Sequence, residues 1–170
     1  MKLFINPGHG GDDPGAISAS YNFEAIIVKE IANLLAEKLK KNGYSFELYQ
    51  QKFNVYEVSK EENKGKYTHF ISIHCNSAAS RSAEGVEVLY CKGSKKGAKY
   101  AQIMQDELVK LTKLKDRGIK ERSEIHVLKA TKAPAILIEL GFISNPKEER
   151  LMLNKPQMFA NAIFEGIKKF

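Results

Sequence analysis

Apolar positions along this chain recur with two different periods. Residues 2–5 form a short apolar run stopped by Asn6-Pro7-Gly8, which predicts a strand ending in a turn. From Asn22 the spacing becomes helical: Phe23, Ile27, Ile31, Leu34, Leu35 and Leu39 share one face, and Gly43 supplies the left-handed stop. Residues 44–49 predict a second strand, and Asn54 with Glu57 has the spacing of a capping pair for a short helix ending near Lys64. Two more strands are predicted over 68–74 and 85–90, joined by a loop of small residues, 77–84. Ser94 can cap a helix with Tyr100, Ala101, Met104, Leu108 and Leu111 on its apolar face. Residues 112–123, polar and glycine-containing, predict a surface loop; 125–128 predict a short strand, and 135–140 a buried strand after Pro134. Asn145-Pro146 opens a short helix with Glu148 placed to complete its cap. Pro156 opens the last helix, with Met158 or Phe159, Ile163, Ile167 and Phe170 facing inward.

Strands alternating with helices, without internal repeat or linker, predict a single α/β domain over residues 1–170. Its centre is a mostly parallel or mixed sheet of about six strands flanked by helices. In such sheets, sites gather beyond the carboxyl ends of the strands. At 170 residues the chain is long enough for a core without staples, and two cysteines do not suggest a disulfide framework. The first apolar run is too short for a signal peptide, so synthesis in the cytoplasm without one is expected. No stretch approaches a membrane span, so membrane insertion is not expected. The net charge of +7 favours polyanions such as an anionic cell wall. The basic residues concentrate only at 92–99 and 110–122 and lack the interleaved aromatics that stack bases, so nucleic acid is not expected.

Four segments carry candidate chemistry. His9 follows the first strand between Gly8 and Gly10-Gly11, where small residues let an ion or ligand approach the backbone; a glycine-rich turn with an incidental histidine is the competing reading. Glu24 lies in the first turn of the long helix, where the helix dipole alone would favour a carboxylate. It is flanked by apolar Phe23 and Ile26, and the loop 15–22 can fold back over the first strand. His74 ends the run Phe70-Ile71-Ser72-Ile73 and shares a strand face with Phe70 and Ser72, whereas Cys75 alternates to the other face as a packed thiol. Glu139 interrupts an apolar strand at its carboxyl end. Unless a lysine or arginine pairs with it there, desolvation raises its pKa towards the range useful for proton transfer. Two histidines and a carboxylate can hold zinc with a fourth position for water, and a further carboxylate can move protons. His69 reads as structural or exposed, and His126 is placed where it can line a cleft.

At these residues the chain resembles the zinc-dependent N-acetylmuramoyl-L-alanine amidases of the Amidase_3 family. The resemblance runs from Phe4-Ile5-Asn6-Pro7-Gly8-His9-Gly10-Gly11 through Asp13-Pro14-Gly15-Ala16, Glu24 and Phe70-Ile71-Ser72-Ile73-His74-Cys75-Asn76-Ser77. It continues through Gly85-Val86-Glu87-Val88 and Asp116-Arg117-Gly118-Ile119-Lys120 to Pro134-Ala135-Ile136-Leu137-Ile138-Glu139 and Gly141-Phe142-Ile143-Ser144-Asn145-Pro146. It implies one zinc ion (Zn2+) per chain, held by His9, Glu24 and His74, with Glu139 as the catalytic carboxylate. The implied reaction is hydrolysis of the amide joining the lactyl group of N-acetylmuramic acid to L-alanine in bacterial peptidoglycan. Two departures stand out. Lys60-Glu61-Glu62-Asn63 occupies the place of an arginine ahead of an Ala-Asn pair, and His126 stands where relatives often carry an aromatic residue. A monomer acting on the wall after phage or mother-cell lysis is expected. A wall peptidase cutting within the stem, or a non-catalytic polymer binder, are the rival readings.

Overall fold

The computed structural model describes residues 1–170. In chain order the elements are β1 (Lys2–Pro7), α1 (Glu24–Lys41), β2 (Ser45–Leu48), α2 (Val55–Glu62), β3 (His69–Asn76), β4 (Val86–Cys91), α3 (Lys95–Thr112), β5 (Asp116–Arg122), α4 (His126–Ala130), β6 (Ala135–Phe142), α5 (Pro146–Asn154) and α6 (Pro156–Ile167). They build one six-stranded sheet in the order β2-β1-β3-β6-β4-β5. The first four strands in that order are parallel; β4 runs antiparallel to β6 and carries β5 parallel beside it. The carboxyl ends of β1, β3 and β6 therefore meet the amino ends of β4 and β5 at one edge of the sheet. No helix is long and apolar enough to cross a membrane.

Strand alternation divides the core. Leu3, Ile5, Ile71, Ile73, Ile136 and Ile138 face α1, α3 and α6 in the larger cluster, whereas Phe4, Phe70, Leu89 and Leu137 face α2 and α4 in the smaller. Ile31, Leu35 and Leu39 of α1 are fully buried, each contributing ~1.5–3 kcal/mol relative to exposure. Helix α1 closes as its sequence dictates, with Gly43 at φ 73° just beyond the cap.

Two expected elements are corrected. Residues 112–123 are not a loop: Asp116–Arg122 is β5, an edge strand. An edge strand needs one ladder only and is commonly charged, so it carries no apolar alternation to read. Gly118, at φ 73°, marks an irregularity in that ladder rather than a turn. Residues 125–128 are not a strand but enter α4, where the adjacent Val127 and Leu128 are both buried against the α2 side of the sheet. Four apolar residues are too few to reveal a period. One strand gained and one lost leave the expected count of six intact.

Smaller differences have the same local origin. Phe23 and Ile26 are 38% and 63% exposed, so they do not enclose Glu24. Glu148 does not close a capping box; its carboxylate accepts from the backbone N–H groups of Phe142 and Gly85, tying β6 to the loop before β4. Two readings hold: Cys75 is a buried thiol packed on Met152, and His69 is structural, buried and stacked on Phe170.

Candidate metal centre

His9, Glu24 and His74 converge where β1, α1 and β3 meet, with their ligand atoms all within 4.8 Å of one another. Each arrives by a different local device. Gly8 donates its N–H to the Ile73 carbonyl, prolonging the β1–β3 ladder past Pro7. His9 then takes the left-handed conformation, φ 59°, uncommon for a residue with a side chain. A Cβ on Gly8 would lie 2.2 Å from Cε1 of His74, so the His74 ring packs where only glycine leaves room.

Glu24 is the first residue of α1 and is buried. Its Oε2 accepts the Ala16 N–H at 2.9 Å and its Oε1 the Cys75 N–H at 2.9 Å. The loop over 14–16 is laced to the helix start by Glu24 N–H to Ala16 O and Ala25 N–H to Pro14 O. Each carboxylate oxygen also faces an imidazole: Oε2 lies 3.2 Å from Nε2 of His9, and Oε1 3.0 Å from Nδ1 of His74.

The surrounding hydrogen bonds fix which nitrogens carry protons. Asn6 Nδ2 donates to the Pro7 and Tyr49 carbonyls, leaving Oδ1 to accept from the Ser72 hydroxyl at 2.8 Å. Ser72 has then spent its only proton, so at 3.0 Å it must accept from Nε2–H of His74. The unprotonated Nδ1 of neutral His74 is thereby aimed at Glu24. At His9, Nδ1–H donates to Asp13 Oδ2 at 2.8 Å, leaving Nε2 for Glu24. Asp13 is held in turn by the Gly15 N–H and by Nε2 of Gln51. Two imidazole lone pairs directed at one carboxylate repel unless a positive charge lies between them. A divalent cation with nitrogen and oxygen ligands meets that need, and histidines oriented by carboxylate and hydroxyl partners are the usual support of such a site.

In the metal-free protein, protons serve instead. Burial would push His9 down, but Glu24 and Asp13 outweigh it and hold it up to about 9. Burial likewise opposes ionisation of Glu24, yet hydrogen bonds and charge from His74 and His9 hold it well below the ordinary carboxylate range.

Glu139 stands beside His74 in the β3–β6 ladder and opposite Glu87 in the β4–β6 pair. Glu87 is paired with Arg117, whose Nε donates at 2.9 Å, and accepts from Nδ2 of Asn76. Glu139 has no such partner, and its Oε2 is shielded without a hydrogen bond. Burial, reinforced by Glu24 and Glu87, pushes it up to about 8. The structure therefore unites the three expected ligand residues and sets Glu139 next to them. Asn6, Asp13 and Ser72 were not singled out from the sequence. The signals for two of them were Asp13 one helical turn's spacing after His9, and Ser72 on the strand face of His74. A cavity of about 300 Å³ opens beside the cluster, and His126 lines its far wall.

A family model described as N-acetylmuramoyl-L-alanine amidase (Amidase_3) matches residues 3–169. The chain is similar to the probable cell wall amidase LytH of Staphylococcus epidermidis: 33% identical over 172 residues, covering 99% of this chain and 57% of that protein. It thus spans little more than half the length of the curated relatives it matches. Among solved structures, an N-acetylmuramoyl-L-alanine amidase of Clostridium difficile 630 superposes with a TM-score of 0.91 at 30% identity, covering 99% of this chain and 95% of that one. The catalytic domain of the amidase CwlV from Bacillus (Paenibacillus) polymyxa var. colistinus gives 0.87 at 29% identity, covering 99% and 97%.

Proposed function

The chain belongs to the N-acetylmuramoyl-L-alanine amidase family, and on that premise we propose that residues 1–170 are a catalytic domain hydrolysing the amide between N-acetylmuramic acid and L-alanine of peptidoglycan. His9, Glu24 and His74 hold one zinc ion in this reading. The observation that carries it is the pair of imidazole nitrogens directed at Glu24 by Asp13 and Ser72. Bound there, zinc would acidify a water molecule and polarise the amide carbonyl.

The chain's own residues supply the rest. Ser72 and Asp13 hold the imidazole rings in place. Glu139, whose proton affinity burial has raised to about 8, takes a proton from the attacking water and returns it to the departing alanine nitrogen. Such a group must change protonation state near neutral pH, and its unpartnered Oε2 leaves it free to do so. Arg117 and Asn76 keep the neighbouring Glu87 occupied, so that the two opposed carboxylates take different roles.

The test is metal analysis followed by product identification on purified walls. A zinc content near one per chain, with new alanine amino groups appearing during digestion, is the expected result. New amines belonging to any other stem residue would reassign the enzyme as a peptidase, and walls left intact by the zinc-loaded protein would leave it a binder.

A further inference from the structure

The cavity beside the metal centre has a second wall that no step of the proposed chemistry uses. It is built from Phe53 and Val55 at the start of α2, Ile125 and His126 at the start of α4, and Leu137 of β6. Apart from Asp13 beside His9, nothing lining the cavity is an acid, a lysine or an arginine. Phe53 is 81% exposed and Tyr56, against His126, 66% exposed, so neither ring serves the core.

His126 is held in a defined state. Its Nε2 lies 2.8 Å from Ser59 Oγ, and Ser59 Oγ lies 3.2 Å from the Tyr56 carbonyl, which can only accept. One assignment satisfies both contacts: Ser59 donates to Tyr56 and accepts from Nε2–H of His126. In the neutral ring Nδ1 is then an acceptor, and no group of the protein bonds to it. The Tyr56 ring packs edge-on against the imidazole, centroids 4.5 Å apart, and fixes its plane.

We propose that this wall is a saccharide subsite, in which His126 Nδ1 accepts a hydroxyl or acetamide N–H of the muramoyl unit while Phe53 covers an apolar ring face. The inference rests on the amidase reading. Of the two halves of that substrate, the amide-linked sugar is uncharged and rich in donors and in C–H faces, whereas the stem peptide carries carboxylates. An uncharged wall with one oriented acceptor and an exposed aromatic ring matches the former. His126 is thus a specificity-determining residue acting in binding.

The experiment compares an N-acetylmuramoyl-peptide with the same stem bearing only the lactoyl group. Wild-type protein is expected to prefer the sugar-bearing substrate through KM. His126→Phe keeps the ring and removes the acceptor, and should shrink that preference by about 5- to 15-fold with kcat little changed, the scale of one hydrogen bond. His126→Asn, which returns an acceptor near the Nδ1 position, should restore part of it. Phe53→Ser, at an exposed position where folding is not at stake, should reduce the preference too. Equal losses on both substrates, or an unchanged preference in all three variants, would overturn the subsite. Titration of metal-free protein with the uncharged lactyl carboxamide of N-acetylglucosaminyl-N-acetylmuramic acid, followed by imidazole NMR shifts, reads the same wall without turnover. A shift at His126 that weakens in Phe53→Ser supports the subsite even if the protein cleaves neither substrate, an outcome that would sink the amidase reading alone. No response in wild type overturns it.

Discussion

His74 and Glu139 are register partners in adjacent parallel strands: one is oriented by Ser72, and the other is left without a hydrogen bond on Oε2. The ladder that holds the fold together thus sets a candidate ligand beside a candidate proton carrier, the first supported and the second free.

Replacing Glu139 by glutamine should keep fold and zinc while lowering hydrolysis at least ~10²-fold, the lower scale of acid–base catalysis. It should also stabilise the protein, because burial opposes the charged carboxylate. Melting temperature and turnover on one preparation decide the matter. A less stable variant with near-normal turnover would make Glu139 a structural residue.

His9→Ala and His74→Ala should each lose most bound zinc after dialysis. Ser72→Ala leaves all three ligands in place but removes the acceptor for His74 Nε2–H, so zinc affinity should fall about 10- to 100-fold. Competition against a chromogenic chelator measures all three. Unaltered affinity in Ser72→Ala would show that the hydroxyl does not orient the ring.

Metal-free protein should lose stability as pH rises. His9 holds its proton up to about 9 when folded, against 6.5 as the ordinary value. Its contribution is complete below 6.5 and is lost as pH climbs through 9. Glu139 acts in the same sense between its ordinary 4.5 and about 8, since the buried form favours the proton. Glu24, held low, has its effect at the acid end, where its contribution disappears as pH falls below the carboxylate range. Melting curves of chelator-treated protein from pH 6.5 to 9 should slope downward and flatten with zinc. A flat metal-free profile would contradict the charge assignment.

Binding to intact walls should weaken with salt far more than cleavage of a small soluble muramoyl-peptide. Lys92, Lys95, Lys96 and Lys99 have no ion-pair partner, whereas Lys110, Lys115, Arg117 and Arg122 in the second basic stretch are paired with glutamates. Exposed charge is screened within roughly 8 Å at physiological salt. Lys95→Glu with Lys96→Glu should therefore flatten the salt dependence of wall binding. A parallel fall of both activities in wild type would place the effect of salt in the site or in folding.

The sequence announced most of this arrangement because strong periodicity and end signals coincide. Ile27, Ile31, Leu35 and Leu39 with Gly43 mark α1, and the step from apolar Ile73 to polar His74 marks the end of β3. The edge strand β5 was illegible because its single ladder asks for no apolar face, and α4 because Val127 and Leu128 alone show no period. The candidate ligand residues could be picked out one at a time. Their shared geometry could not, since it depends on Gly8 making room for a ring sixty-six residues away. The hydroxyl and amide that orient His74 were hidden for the same reason, as Ser72 and Asn6 meet only across two strands.

Cys75 and Cys91 are unpaired, so the fold has no covalent cross-link. Residues 9, 24 and 74 are nevertheless the points at which a shared ion would fasten the loop after β1 and the start of α1 to the end of β3. Such a clasp works by limiting how far the unfolded or partly opened chain can stray. Without such an ion, the domain would lose catalysis and the tether on the loop 10–23 together, leaving that loop the first place for a protease to cut. The same molecules would then be both inactive and the ones most readily cut, so that losing the ion and losing the chain would go together.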